Sequence, residues 1–215
     1  ATITDLLSKM RKNNWRSNSK LITKAYNYAL SHHGDQKRKS GEPYIIHPLQ
    51  VAYTLAELEL DDATICAALL HDVDDHKLSP DTCKEMNRAA DFLRNNNVPE
   101  DRVQRVLQII SEISFSAGKG RPTTIEGMCV QDADRLDAMG AIGIGRAFAF
   151  GGSRGRRMHD PENVDITTTI QHFYDKLLRL MDLMNTKTGR ELALQRDQYM
   201  RQFLDEFYAE WDGHK

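Results

Sequence analysis

The chain has 215 residues, 28% of them charged, with a net charge of −2 and a pI near 6.5. That length supports one substantial core with room for a helical appendage, and the near-balanced charge excludes a one-signed coat for a nucleic-acid polymer. The three cysteines, Cys66, Cys83 and Cys129, form no CxxC pair, a pattern expected of reduced thiols in a cytoplasmic protein. The N-terminal ATITDLLSKMRKNNW lacks the apolar core of a signal peptide, and no stretch is apolar enough to span a bilayer.

In chain order, almost every segment has helical periodicity. Leu21, Ile22, Ala25, Tyr26 and Ala29 recur at helical spacing over Asn18–His33, and Gly34 follows as a stop. Pro48 opens a second helix to Leu60, where its missing N–H costs nothing. A third runs from Asp61 to Asp72, which puts His71 and Asp72 at its C-terminal end. Helices over Pro80–Asn95 and Pro99–Ser111 follow, separated by the NNN of 95–97. Ser114–Thr124 is polar and Gly-containing and predicts a loop, with Thr124 capping a helix from Ile125 to about Met139. AIGIGRAFAFGGSRGRR begins apolar and predicts a basic Gly-rich loop over 146–157. Two helical stripes close the chain: Ile170, Phe173, Leu177, Leu180, Met181 and Met184, then Tyr199, Phe203, Phe207 and Trp211. They form core or a second-subunit interface. The expectation is an all-α protein of one domain over 1–215, with a metal core at about 20–150 and C-terminal helices at about 163–212 packing on it.

Four residues carry the chemistry: His47 in YIIHP, His71 and Asp72 in ALLHDVDDH, and Asp134 in QDADRLDA. Imidazoles with carboxylates suit Mn, Fe, Zn or a similar divalent ion, whereas a Mg or Ca site would be mostly oxygen. The plainer alternative is that His71 and Asp72 cap a helix and Asp134 is an exposed helix carboxylate.

The residues from His33 through RKSGEPYIIHP to AALLHDV resemble the hydrolase domain of the Rel/Spo family of (p)ppGpp enzymes, over about residues 20–73. HDVDDHK, which straddles that limit, and, over residues 74–215, IISEISFS, VQDADRLDAMGAIGIGRAFAFGGSRGR and HFYDKLLRLMDLMNTKTGRELA resemble compact bacterial HD-domain enzymes, including hydrolases of nucleoside triphosphates that release pyrophosphate. The two resemblances meet near Val73, so the chain reads as a hybrid of two HD branches.

The resemblance implies the HD helical bundle, with His47, His71, Asp72 and Asp134 as ligands of a metal, manganese favoured and iron or another divalent ion allowed. Asp134 is preferred to Asp132 because ADRL matches the fourth-ligand motif of both branches, and Arg135 then stands beside the site. In the Rel/Spo branch Glu and Asp follow the dyad as HDxxED; here those positions hold Asp75 and His76. Asp74 and Asp75 are the candidates for orienting water or acting as general base, or they are solvated carboxylates past a helix end. Arg38, Lys39 and Ser40 resemble the Rel/Spo nucleotide-contact segment. Arg146 and Arg154, with Lys119, Arg121, Arg156 and Arg157, suit a phosphate chain. The Rel/Spo Asn after the fourth ligand is absent, since DRLHN reads DRLDA here.

These residues predict a metal-dependent phosphohydrolase of a (p)ppGpp-like or (deoxy)nucleoside triphosphate substrate. The alternatives are hydrolysis of a monoester or cyclic nucleotide, a non-catalytic metal- and nucleotide-binding sensor, and an interaction domain with a vestigial site. The partner expected is a small nucleotide, with neither nucleic-acid polymer nor membrane, and a homodimer is open.

Overall fold

The computed structural model describes residues 1–74, 87–113, 121–163 and 167–214. Among the described residues there are ten α-helices and no strand, so the fold is all-α as the periodicity predicts. The β element among them is an isolated bridge between Lys37 and Pro43. No helix among the described residues is long and apolar enough to cross a membrane. The chain divides into two compact units, Ala1–Lys37 with Pro43–Ala133, and Arg38–Glu42 with Asp134–Lys215.

The first unit is built around α4 (Asp62–Leu70), which packs against α2 (Ser19–His33), α3 (Ile46–Glu57) and α6 (Glu100–Ile113). Its sequence explains that place: every residue from Thr64 to Leu70 is buried, and a helix apolar all round belongs inside a core. Asp61 starts it by accepting the Thr64 N–H at 3.0 Å, a standard N-cap. Helix α3 begins two residues before the expected Pro48. The first four N–H groups of a helix have no intrahelical acceptor, so proline fits the third position as well as the first, and His47 is drawn into the first turn. Gly34 ends α2 at a φ of 48°, backbone that an L side chain resists. Asn97 takes a φ of 57° just after α5 (Arg88–Asn95), in the NNN expected to break the chain. Asparagine tolerates that region.

Helix α1 (Ile3–Asn13) was not among the expected elements. Its start is a capping box of Thr2 and Asp5, and Leu6 and Met10 anchor it in the core. Thr124 caps α7 (Ile125–Asp137) as expected, accepting the Gly127 N–H at 3.1 Å. Residues 80–86 of the expected Pro80–Asn95 helix and 114–120 of the expected loop lie outside the described residues.

The second unit contains α8 (Gly140–Ser153), α9 (Thr169–Asp175), two 3₁₀ turns (Leu177–Arg179 and Met181–Leu183) and α10 (Lys187–Trp211). Two expectations are corrected here. The basic Gly-rich loop over 146–157 is helical to Ser153, and the chain leaves the helix only at Arg154. Gly151 stays helical because it is a packing site: a Cβ there would run into the Thr169 hydroxyl of α9. The stripe from Ile170 to Met184 is not one helix, since Lys176 leaves helical backbone with φ −135° and ψ −60°. The buried line of α10 is Gly189, Ala193, Asp197, Met200 and Leu204, whereas Tyr199 is 51% and Trp211 44% exposed. Phe203 and Phe207 flank that line and pack with Phe148 and Phe173.

Candidate metal centre

His47 leaves the first turn of α3, His71 caps the end of α4, and Asp72 follows it. Their ligand-capable atoms lie within 4.8 Å of one another. Nε2 of His47 is 3.6 Å from Asp72 Oδ2, and Nε2 of His71 is 3.3 Å from Oδ1. The three side chains keep only 9%, 9% and 10% exposure in the order His47, His71, Asp72. Water is scarce there, and a buried carboxylate needs a cation or donors.

His71 Nδ1 is 2.6 Å from the Ala68 carbonyl. A carbonyl only accepts, so Nδ1 carries a proton, and Nε2 is the nitrogen on the Asp72 side. An outer acceptor that fixes a histidine tautomer is usual for a metal ligand. Two imidazoles, one with its tautomer fixed this way, and one carboxylate therefore fit a borderline divalent ion.

In the second unit, Arg38 and Arg146 end on one carboxylate. Arg38 Nη2 lies 3.3 Å and Arg146 Nη1 2.6 Å from Asp137 Oδ2, and Arg146 Nη1 also reaches the Asp137 carbonyl at 2.8 Å. Asp137 is buried, and both guanidinium side chains are about four-fifths so. The Ser40 hydroxyl is engaged by Glu42, while Lys39 is exposed in the same turn.

Residues 25–92 match the family model described as HD domain. The chain is 44% identical over 151 residues to YpgQ of Bacillus subtilis, spanning 68% of this chain and 71% of that protein. It belongs to the HD-domain family. A solved HD-superfamily hydrolase from Bacillus thuringiensis superposes with a TM-score of 0.74 at 37% identity, covering 89% of this chain and 96% of that one. YpgQ solved in complex with ADP gives 0.69 at 34% identity, covering 86% and 97%. The chain has a second kinship: 51 residues, 24% of this chain, are 67% identical to the guanosine-3′,5′-bis(diphosphate) 3′-pyrophosphohydrolase of Aquifex aeolicus, of which they span 7%.

The other expected site residues of this HD domain lie on several elements of the two units. Asp134 is the first residue of the second unit, on α7, and Arg135 beside it donates to the Leu183 carbonyl. Asp132, on the same helix within the first unit, is buried. Asp74 accepts the Ala89 N–H at 3.2 Å, in the first turn of α5, so it serves as a helix cap. Asp75 and Lys119 lie outside the described residues. Arg154 ends α8 with its guanidinium 5.6 Å from the Phe150 ring centre, and Arg156 sits 5.3 Å from the same ring. Arg157 pairs with Asp160.

Three residues at these sites were not singled out by sequence. Tyr44 donates its hydroxyl to Asp72 Oδ2 at 3.1 Å. His33 packs its ring against Tyr44 at 4.8 Å, and burial pushes its pKa down, so it stays neutral at pH 7. Asp137, met in the sequence only as a departure from DRLHN, joins the two arginines. A tyrosine three positions before the first ligand was the one available signal for Tyr44.

Proposed function

We propose that the protein is a metal-dependent pyrophosphohydrolase of a nucleotide. The observation that carries this reading is the convergence of His47, His71 and Asp72 with their ligand atoms within 4.8 Å. Asp134 is the fourth ligand in this reading, and manganese the favoured ion, with iron or another divalent ion able to take its place. When bound, such an ion supplies polarisation of a phosphoryl oxygen and a more acidic water.

The chain's own residues do the rest. Arg38 and Arg146, paired on Asp137, receive phosphate oxygens, with Lys39, Ser40 and Arg154 at the edges of the nucleotide. Neutralising phosphate charge is where most catalysis of phosphoryl transfer lies. Asp75 orients the attacking water or takes its proton, with Asp74 and Arg135 in support. YpgQ was crystallised with ADP, and the Aquifex relative is named for removal of a 3′-pyrophosphate; both support a nucleotide with adjacent phosphates. The protein acts in the cytoplasm on a free nucleotide, alone or as a homodimer.

A second reading is favoured by one observation. Asp74 accepts the Ala89 N–H at the start of α5, and Asp75 and His76 replace the Glu-Asp of the Rel/Spo branch. A site that keeps metal and nucleotide without a proton relay is a sensor. The test is pyrophosphate release with added Mn(II) from ppGpp and from ribo- and deoxynucleoside triphosphates, with Asp72→Ala as control. Release from either class supports the enzyme. Orthophosphate alone moves the assignment to a monoester or cyclic nucleotide, and binding without turnover moves it to the sensor.

A further inference from the structure

We propose that Tyr44 is a positioning residue of the metal centre: its hydroxyl fixes the Asp72 carboxylate for the ion, and its own ring is locked by a frame built on Gln36 and His33. The inference rests on the metal-centre reading above and concerns residues that the ligand pattern does not include.

Asp72 is nine-tenths buried, with an imidazole near each oxygen. An aspartate has only two side-chain torsions, and without a further contact its carboxylate can turn about the second. The Tyr44 hydroxyl removes that freedom by donating to Oδ2 at 3.1 Å. A carboxylate oxygen has a second lone pair, so this bond leaves both oxygens able to face a cation. It also makes the two oxygens inequivalent, because Oδ2 is tied to the phenol and Oδ1 is not.

Tyr44 is held on every side. Its N–H donates to the Gln36 carbonyl at 2.9 Å, and the Gln36 N–H donates to the His33 carbonyl at 2.8 Å. The Gln36 side-chain oxygen is 3.2 Å from His33 Nδ1, so that nitrogen carries the proton. Its ring then packs at a tilt against Tyr44 at 4.8 Å and 42°, and the His47 ring meets Tyr44 edge-on at 6.0 Å. Gln36 therefore holds the tyrosine through its backbone and the histidine through its side chain. His33 is 3% exposed, and its Nε2 has no hydrogen-bond partner among the described residues.

The experiment measures Mn(II) affinity by calorimetry and electron paramagnetic resonance, without substrate, in wild type and Tyr44→Phe. Phenylalanine keeps both ring contacts and removes only the hydroxyl. Outer partners of metal ligands typically account for about 10- to 100-fold in affinity; a loss in that range is expected, with cooperative unfolding retained in EDTA. Wild-type affinity in Tyr44→Phe overturns the inference and leaves the metal centre standing. Absence of metal binding in the wild type overturns both. If Tyr44→Phe does not fold, His33→Leu carries the test, since it removes the ring packed on Tyr44: an affinity loss of about 10-fold or more supports the frame, and wild-type affinity overturns it.

Discussion

His71 and Ala68 are joined by a 2.6 Å contact between imidazole Nδ1 and a backbone carbonyl. The bond spans the last turn of α4, where carbonyls lack intrahelical partners, so the helix end itself selects the tautomer that exposes Nε2. Such a ligand is hard to replace. We expect His47→Ala, His71→Ala and Asp72→Ala each to weaken Mn(II) binding by more than about 100-fold, beyond the usual effect of an outer partner. Metal content after dialysis, with Mn(II) titration, checks this. The same titration on Asp134→Ala decides the fourth ligand: a comparable loss is expected, and undiminished affinity would remove Asp134 from the set.

Asp137 serves two cations at once. Without its carboxylate, Arg38 and Arg146 lose their shared acceptor and repel each other. Hydrogen bonds to charged groups contribute about 1.5–3 kcal/mol, and each 1.4 kcal/mol is about tenfold in binding. Asp137→Asn is therefore expected to raise KM for the nucleotide about 10-fold, with kcat within about threefold. Steady-state kinetics on the substrate found in the pyrophosphate assay makes the measurement. A lower KM would mean that Asp137 competes with phosphate for the arginines.

The grouping of His47, His71 and Asp72 was legible because their motifs fall at helix ends, where sequence pattern and position agree. Tyr44 was not, since its partner Asp72 lies 28 residues away and only the fold aligns phenol and carboxylate. Asp137 was hidden for a similar reason: its arginines come from a turn at residue 38 and from α8. The Gly-rich segment was misread because glycine usually marks a loop, yet in α8 it permits the approach of Thr169. The C-terminal stripe failed because apolar spacing of three and four residues does not separate one α-helix from a helix followed by 3₁₀ turns.

The two described cysteines differ in environment. Cys66 is fully buried on α4, and burial pushes its thiol up to about 12. Cys129 is half-buried and also raised, first by burial and then by Asp132 and Glu126. At pH 8 the Cys66 thiolate is about one part in ten thousand, and the thiolate is the reactive form. Iodoacetamide on native protein, followed by peptide mass mapping, is expected to modify Cys129 slowly and Cys66 only after denaturation. Labelling of Cys66 at the Cys129 rate would contradict its placement in the core.

Two glycines of α8 should respond to alanine in opposite directions. At Gly145 an added Cβ meets nothing within 4 Å, so alanine removes only the backbone freedom of glycine in a helix, a gain of about 0.5–1 kcal/mol. At Gly151 the Cβ collides with the Thr169 hydroxyl and comes within 3.4 Å of its Cβ; overpacking of this kind costs about 1–3 kcal/mol. For a chain of this size 1 kcal/mol shifts the melting temperature by about 2–4 °C. Gly145→Ala is thus expected to melt about 1–4 °C higher and Gly151→Ala about 2–12 °C lower. Two increases would mean that α8 and α9 are not in close contact at this point, and two decreases would mean that Gly145 meets a neighbour.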